Sequence, residues 1–307
     1  MAKPEAPATP RTATDVEAAI RQQIKALAEL RGGVCYPLLL TSANIGMTLV
    51  EDVYDELRRD CAAGNSQLDV VLHSGGGDID AAYNLALLLR RFGTERLTFI
   101  VPRWAKSAAT LLVCAGDSIL MTPVAELGPV DPQITEMNPL ERRLESFSPL
   151  HIESTLALIR EEYKKGDKRM ADKLIERLQF PLTLGSFKKS LDIGRQYLIK
   201  LLSTRMLKGS PEKAADVAKQ LTEGYADHGY CIDVEEARAI GLRAEELPAE
   251  QLDVVWKIHR LARQKRELER ARKDKELRKR IKEIPPELLD RLPPELLGYP
   301  EQGTAGT

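Results

Sequence analysis

A serine and a run of glycines are the residues of this sequence whose types and positions suit hydrolysis through a nucleophile. Ser107 follows Ala105-Lys106 and precedes a run of small and apolar residues that is typical of a short buried helix. Free N–H groups and the positive end of the helix dipole favour a developing negative charge at such a position. Ser107 is therefore a candidate nucleophile, although a serine that begins a helix is most often only its N-cap.

The glycine run Gly75-Gly76-Gly77 lies earlier in the chain, directly after an apolar segment. Glycine has no Cβ to obstruct an approaching group, and its backbone angles let neighbouring N–H groups converge on one oxygen. The turn therefore predicts an oxyanion hole formed by the N–H groups of Gly76 or Gly77 together with that of Ala108. A phosphate-binding loop is the alternative, but the run lacks both the Gly-Lys-Ser/Thr ending of a P-loop and dinucleotide-site spacing.

Two short apolar segments must position these turns. Residues 68–72 and 97–101 are rich in β-branched residues and are bounded by turn formers, which predicts buried parallel strands. Predicted helices at residues 49–63 and 79–92 alternate with them and indicate an α/β fold with right-handed crossovers. Because ligands bind at the carboxyl ends of the strands in open α/β sheets, both turns are expected at one edge of the sheet.

The order of these motifs resembles that of a known peptidase family. A strand leads into Ser74-Gly75-Gly76-Gly77-Asp78, and the next strand leads into Ala105-Lys106-Ser107-Ala108-Ala109-Thr110. With residues 126–133 and 228–237, this order is similar to that of the serine dehydrogenase proteinase family, a distant relative of the Clp protease subunit and signal peptide peptidase A. The likeness covers about residues 35–247. It implies a ClpP/crotonase-like spiral of ββα units, a helical insertion at about residues 150–223, and peptidase activity.

Four histidines are candidates for the base that would remove the proton of a serine hydroxyl. Histidine suits this role because its pKa lies near working pH. His228 is preferred because it lies in the segment that matches the family, although a surface loop histidine is the alternative. His73 precedes the glycine turn and would hold that loop. His259 lies in the predicted charged helix, and His151, in the helical insertion, has no motif around it.

The third catalytic group is the point at which the chain departs from the family. The family's acid directly follows its histidine, and Gly229 occupies that position here. Asp131, Asp227 and Asp233 remain candidates to orient the imidazole. We favour Asp131, because its loop follows the strand that adjoins Ser107.

A lysine base is the other option, because the signal peptide peptidase relatives use a serine–lysine dyad. Their lysine comes from a distant helix, whereas Lys106 directly precedes the serine. Adjacent residues at a helix start point in different directions, so we do not expect Lys106 to reach Ser107 as its base. Lys200 and Lys208 are outside candidates for that role.

Composition limits the remaining classes of function. With 307 residues, 43% hydrophobic and 30% charged, the chain can form one substantial α/β core with extensions. Its formal net charge of -1 argues against a general nucleic-acid-binding protein. No apolar run approaches the ~20 residues of a membrane span, and the start of the sequence lacks the apolar region of a signal peptide. Members of the family are often anchored at the N-terminus, but here we expect no membrane span and a cytoplasmic location.

Neither a cofactor nor a metal is expected. The cysteines show no C-x-x-C spacing, so they predict buried free thiols in a reducing compartment. The histidines are scattered and lack an H-E-x-x-H pattern. The cysteines are Cys35, Cys61, Cys114 and Cys231.

The chain divides into four predicted segments. These are a disordered tail at 1–13, a helix at 14–34 capped by Thr14-Asp15, a catalytic domain at 35–247, and a charged helix with a Pro-rich tail at 248–307. Within the catalytic domain, the repeated prolines of residues 122–139 predict a loop. The insertion would supply subunit contacts of a homo-oligomer, as in ring-forming relatives. In the last helix, acidic residues lie between the basic ones, which favours a solvated helix over a nucleic-acid-binding one. This helix is also a candidate docking element for a protein partner.

Together these features predict a serine endopeptidase that acts on peptides or unfolded proteins by acyl transfer. Two alternatives stay open. In a crotonase-like enzyme, the glycine turn would bind and polarise an acyl-CoA thioester and no serine nucleophile would be needed. In a catalytically silent oligomeric scaffold or adaptor, the missing acid at Gly229 would be a sign of lost activity.

Overall fold

The structure is a computed structural model of the chain. It describes residues 12–60, 67–130, 134–138, 143–147, 149–166, 168–177 and 184–282. Helices alternate with strands in the first part of the chain, in the order α1 (Ala13–Arg31), β1 (Val34–Leu40), α2 (Met47–Asp60), β2 (Gln67–Ser74), α3 (Ile79–Phe92), β3 (Arg96–Val101), β4 (Trp104–Ala105), α4 (Ala108–Val113), β5 (Ser118–Met121) and β6 (Glu126–Leu127).

The second part of the chain is mainly helical. Its elements are β7 (Ile134–Asn138), β8 (Arg143–Phe147), α5 (Pro149–Lys165), α6 (Lys168–Arg177), α7 (Leu184–Thr204), α8 (Pro211–Glu223), α9 (Val234–Ala239), β9 (Ala244–Glu246) and α10 (Ala249–Lys282). The helices α5 to α8 fall within the predicted helical insertion.

A parallel sheet holds the strands together, in the order β6-β4-β2-β3-β5-β9 with β1 also paired to β2. Along β2, residues Gln67–Val71 pair with Arg96–Ile100 of β3, and Ser74 then pairs with Ala105 of β4. The short strand β4 thus replaces β3 beside the carboxyl end of β2. As a result, the turn after β2 and the turn after β4 lie next to each other. The parallel sheet with its crossover helices confirms the predicted α/β class.

The helices beside these turns are fixed by a cap and by small residues. Asp78 begins α3 by accepting the N–H of Ala81 at 2.7 Å, which satisfies one of the free donors at the helix start. The buried face of α3 comprises Ala81, Ala82, Leu85, Ala86 and Leu89, and every residue of α4 is buried. Burying each leucine contributes on the order of 1.5–3 kcal/mol, so both helices are held firmly against the sheet.

Two carboxylates, one fully buried and one half-buried, connect distant elements. Asp69 on β2 is fully buried and pairs with Arg31 at 2.8 Å and with Arg96 at 3.0 Å. Asp117, just before β5, accepts the N–H of Leu97 at 2.8 Å and pairs with Arg205 at 2.8 Å. Asp69 lies away from bulk water between two arginines, which is the condition under which a buried charge is tolerated. The Asp117 side chain is 34% exposed, so it keeps part of its hydration.

Contacts divide the chain into two compact units. Arg21–Arg260 forms the unit that contains the sheet and the candidate site. The described part of the other unit comprises residues 12–20 and 261–282. In that unit Lys265 pairs with Glu17 at 3.3 Å, and residues 270–280 of α10 are exposed, as expected for a solvated charged helix.

The structure differs from the sequence-based expectations at two places. The segment 122–139, expected to be a loop, contains β6 and β7, and β7 forms an antiparallel hairpin with β8. The cap of α1 is Thr12, which exchanges hydrogen bonds with Asp15 at 3.0 and 3.1 Å, so the helix begins before Thr14. In the described ranges, every helix is too short or too polar to cross a membrane.

Candidate active site

Ser107 occupies a strained turn between β4 and α4. Its φ of 53° makes it the one non-glycine residue with positive φ among those that the structure describes. Such a conformation costs a side-chain-bearing residue on the order of 1–3 kcal/mol and persists only where surrounding contacts impose it. The Ser107 side chain makes no cap hydrogen bond to α4, so its hydroxyl does not perform the ordinary N-cap role.

Backbone hydrogen bonds on both sides hold this turn. The N–H of Lys106 donates to the Ser74 carbonyl at 3.1 Å, and the N–H of Thr110 donates to the Ser107 carbonyl at 2.8 Å. The Thr110 hydroxyl donates to the Ala105 carbonyl at 2.6 Å and accepts the N–H of Gly128 at 3.1 Å. The strained residue is therefore fixed from β2, from α4 and from the segment after β6.

The glycine turn lies directly against Ser107. Gly76 has a φ of +111°, and a Cβ built on it would lie 2.9 Å from the Ser107 Cβ and 3.3 Å from the Ala108 nitrogen. A Cβ on Gly77 would collide with the backbone of Ile45. Only glycine allows this approach at both positions. The structure thus brings the predicted nucleophile beside the predicted oxyanion turn.

The three predicted oxyanion donors differ in their hydrogen bonds. The N–H of Gly76 donates to the Ser74 hydroxyl at 3.0 Å. Within the described part of the chain, the N–H groups of Gly77 and Ala108 have no recorded acceptor. Gly77 and Ala108 are therefore the pair best prepared to receive a new oxygen.

His228 lies in a tight turn that contacts the residue before Ser107. The turn is closed by two bonds to Asp227: its carbonyl accepts the N–H of Tyr230 at 3.1 Å, and its Oδ1 accepts the N–H of Gly229 at 2.7 Å. The Lys106 Nζ donates to the Tyr230 carbonyl at 2.9 Å and to the Gly229 carbonyl at 3.5 Å. These contacts bring the half-buried His228 to the same end of the sheet as Ser107.

A short antiparallel bridge is the second anchor of this segment. Leu127 donates its N–H to the Ile232 carbonyl at 2.8 Å, and Ile232 donates back at 3.1 Å. Because Leu127 also pairs with Ala105 of β4, the His228 segment is connected through β6 to the strand before Ser107.

The candidate acids stand in different situations. Asp227 uses Oδ1 within its own turn, and Asp233 caps α9 by accepting the N–H of Glu236 at 2.9 Å. Asp131 lies outside the described residues. Val130, which precedes it, is buried and donates its N–H to the Leu221 carbonyl at 2.8 Å, near the end of α8.

The other histidines and lysines occupy different surroundings. His73 and His259 are buried with their ring centroids 4.8 Å apart, and the His73 ring lies 4.7 Å from that of Trp104. The side chain of His151 lies outside the described residues. Lys200 and Lys208 are exposed on and just after α7.

A charged cluster beside the His228 turn was not anticipated from the sequence. Glu126 on β6 lies 3.6 Å from the Lys106 Nζ and 3.0 Å from Arg103. Burial raises the pKa of Glu126, but a hydrogen bond from Cys231 and the charges of Lys106 and Arg103 outweigh it, so the pKa is lowered. Burial and the same Glu126 carboxylate raise the pKa of Cys231 to about 11, so its thiol is a weak nucleophile at neutral pH.

The described segments contain no group of three or more His, Cys, Asp or Glu residues placed to hold a metal ion.

Residues 47–270, which are more than half of the chain, match the sequence model of the family described as ClpP-like SDH-type serine proteinases. The chain belongs to this family. The predicted resemblance to the serine dehydrogenase proteinases is thereby confirmed.

Two uncharacterized proteins of Methanocaldococcus jannaschii resemble this member of the family in sequence. MJ0137 is 28% identical over 212 residues, 69% of this chain and 65% of that protein. MJ1495 is 30% identical over 175 residues, 57% of this chain and 51% of that protein. The chain thus spans less than two thirds of the length of these relatives.

Solved structures of proteases are similar to parts of the chain at low sequence identity. A mutant of the membrane-bound stomatin-specific protease 1510-N, in complex with a substrate peptide, is 13% identical with a TM-score of 0.42 and covers 72% of this chain and 78% of that one. ClpP1 from Listeria monocytogenes is 13% identical with a TM-score of 0.40 and covers 77% of this chain and 98% of that one.

Proposed function

We propose that this member of the ClpP-like proteinase family hydrolyses peptide bonds by acyl transfer through Ser107. One observation carries the proposal: a serine with positive φ lies in direct contact with a glycine turn that only glycine can form. Strained backbone of this kind costs free energy and clusters at active sites, where the surrounding structure imposes it, which supports a chemical role for Ser107. The family membership supports peptidase rather than another hydrolase activity.

In the proposed reaction, the Ser107 hydroxyl attacks the carbonyl carbon of the substrate. His228 takes the hydroxyl proton and then gives it to the leaving amine, which departs as the acyl-enzyme forms. Water, activated by His228, attacks the acyl-enzyme and releases the second product. The N–H groups of Gly77 and Ala108 hold the oxyanion of each tetrahedral intermediate, and each donor contributes ~3 kcal/mol. Gly76 would join them if its N–H left the Ser74 hydroxyl.

Asp131 is the proposed group that orients His228. It directly follows Val130, whose N–H donates to the Leu221 carbonyl at 2.8 Å. Leu221 lies near the end of α8, and the His228 segment follows that helix in the chain. The alternatives are less free for this task, because Asp227 and Asp233 each commit one carboxylate oxygen to a nearby backbone N–H.

The proposed substrates are peptides and unfolded proteins, cleaved as by an endopeptidase, and the proposed working form is a homo-oligomer. An acyl-CoA-binding enzyme of the crotonase type is the second candidate function, because the same glycine turn could polarise a thioester. The two differ in their need for the Ser107 hydroxyl.

A fluorophosphonate probe tests the proposal directly, since it labels an activated serine covalently. We expect the wild-type chain to be labelled and to cleave dye-quenched casein, and the S107A variant to lose both activities. Ser210 offers a matched control, because it also begins a helix and makes no side-chain cap bond. The S210A variant should keep both activities.

The outcomes separate the candidate functions. Casein cleavage by S107A at the wild-type rate would overturn the serine mechanism. If the wild type is neither labelled nor able to cleave casein, and calorimetry shows saturable binding of acetyl-CoA, the acyl-CoA-binding function would be favoured. Absence of all three would favour a silent scaffold.

A further inference from the structure

The lysine before the nucleophile is held in a prepared position. The Lys106 side chain is only 17% exposed, although a lysine at a turn normally extends into water. Its Nζ donates to the Tyr230 carbonyl at 2.9 Å and lies 3.6 Å from a carboxylate oxygen of Glu126. The ammonium therefore has both a neutral acceptor and a counter-ion.

The path of this side chain depends on a glycine. A Cβ built on Gly128 would lie 2.6 Å from the Lys106 Cδ and 3.6 Å from its Cβ. The aliphatic stem of Lys106 thus lies on bare backbone at Gly128. In addition, the N–H of Gly128 is fixed by the Thr110 hydroxyl at 3.1 Å, so the surface beneath the stem is itself anchored to α4.

The carbonyls that Lys106 contacts belong to the turn that carries His228. That turn is closed internally by the bonds from Tyr230 and Gly229 to Asp227, so it moves as one unit. Holding the carbonyls of residues 229 and 230 therefore also restricts His228. Without Lys106, the segment would keep its bridge at Ile232 and the contacts of the Tyr230 side chain with Glu236 and Tyr225, but it would lose its hydrogen bonds to the residue before Ser107.

We propose that Lys106 is a positioning residue: its ammonium, held by Glu126, docks the His228 turn onto the segment that carries Ser107. This inference rests on the proposed function, since it concerns the distance between the proposed nucleophile and the proposed base. Lys106 takes no proton from Ser107 in this arrangement. It acts through the backbone of the histidine turn.

The consequence is a loss of rate without a comparable loss of substrate binding. A base that shifts by about 1 Å from its nucleophile can lose on the order of 100-fold in rate. We expect the K106M variant, which keeps the apolar stem and removes the ammonium, to lose about 10- to 100-fold in kcat for a peptide substrate with little change in KM. The K106R variant restores a cation able to donate to both carbonyls, so its kcat should lie between those of K106M and the wild type.

A double-mutant cycle with His228 tests the route of this effect. The rate of fluorophosphonate labelling is measured for the wild type, K106M, H228A and the double variant. If Lys106 acts through His228, the K106M substitution slows labelling of the wild-type chain but does not slow labelling of H228A further. Such non-additive effects are expected of residues that act together. Lys213, exposed on α8, provides the matched control, and K213M should label at the wild-type rate.

The outcomes separate failure of this inference from failure of the proposed function. Additive effects of K106M and H228A, or an unchanged kcat in K106M, would overturn the positioning role while leaving Ser107 as the nucleophile. Full labelling of S107A would instead remove the proposed function itself. Thermal melting of each variant identifies loss of fold, and K106R, which preserves the charge, keeps the test valid if K106M unfolds.

Discussion

At the scale of single residues, the site depends on backbone positions that a side chain would not permit. Ser107 holds a conformation that few L-residues adopt, and the hydrogen bonds of Lys106 and Thr110 impose it. Gly76 lets the turn approach Ser107, and Gly77 lets the same turn approach Ile45. Strain at Ser107 is thus maintained by close packing around it rather than by any single strong contact.

The three glycines are expected to respond differently to alanine. In G77A the new Cβ would strike the Ile45 backbone, which cannot move away as a flexible side chain could, so we expect a loss of about 3 kcal/mol or more in the free energy of unfolding. In G76A the new Cβ would press on Lys106 and Ser107, so probe labelling should fall by at least tenfold, by analogy with displaced catalytic groups. Denaturant unfolding and the labelling rate measure the two effects.

Gly75 supplies the control for this series. It is exposed, and a Cβ on it would meet nothing within 4 Å. G75A should therefore unfold within about 0.5 kcal/mol of the wild type, as surface substitutions usually do. Equal destabilisation by G75A and G77A would contradict the steric explanation, because only one of the two positions is crowded.

At the scale of elements, Asp117 connects the beginning of β3 with the end of α7. It accepts the N–H of Leu97 and both pairs and hydrogen-bonds with Arg205. Burial raises the pKa of Asp117, but the hydrogen bonds from Arg205 and Leu97 outweigh burial and hold the pKa below its ordinary value of 3.8. A carboxylate with a lowered folded-state pKa stabilises the fold above the unfolded pKa, and this stabilisation is lost as the pH falls through the folded pKa.

The D117N variant tests this linkage. Removal of the charge should lower the free energy of unfolding by about 1–2 kcal/mol at pH 7, since the bonds to Arg205 lose their charge assistance. The difference between wild type and D117N should shrink as the pH falls below the ordinary carboxylate pKa of 3.8 and through the lowered folded-state pKa, because the wild-type carboxylate then becomes protonated as well. Chemical unfolding at a series of pH values measures it.

Asp192 is the matched control for Asp117. It pairs with Arg195 three residues away on α7, where both side chains are about two-fifths exposed. Such surface pairs contribute little, so D192N should unfold within about 0.5 kcal/mol of the wild type at every pH. A difference for D117N that stays constant down to pH 3 would refute the linkage.

Sequence patterns predicted the elements that local rules determine. The bounds of α3 agree with the prediction because Asp78 caps its beginning and Gly93 follows its end. The hairpin β7–β8 was missed because the prolines that flank its strands favour a loop. In addition, the pairing of two strands depends on contacts between residues that a short stretch of sequence does not reveal. The contact of Lys106 with Tyr230 was missed for the same reason, since it joins residues far apart in the chain.

The site itself was partly predictable. Ser107 and the glycine turn each follow a strand of the parallel sheet. Because the carboxyl ends of parallel strands lie at one edge of a sheet, the two turns are expected to meet there. The bond between the Gly76 N–H and the Ser74 hydroxyl depends on side-chain geometry, which no spacing rule supplies. The assignment of His228 and Asp131 as base and orienting acid stays a prediction.

At the scale of the whole molecule, the helices α5 and α6 carry four of the twelve exposed large apolar side chains among the described residues. Leu158, Tyr163 and Ile175 are each about half exposed, at 48%, 55% and 52%. Where exposed apolar side chains form a contiguous patch, the patch commonly marks an interface with another molecule. A homo-oligomer in which these helices contact a second copy would bury this surface, in agreement with the expected role of the insertion.

Charge placed on that surface should weaken the assembly. We expect the wild-type chain to sediment as an oligomer at micromolar concentration, and the double variant L158E/I175E to shift toward the monomer with at least a tenfold higher dissociation constant, because each glutamate must lose its hydration at the contact. Leu277, 45% exposed on α10, provides a control of similar exposure, so L277E should sediment as the wild type does. A monomeric wild type, or dissociation by L277E to the same degree, would place the subunit contacts elsewhere, because the effect would then not depend on α5 and α6.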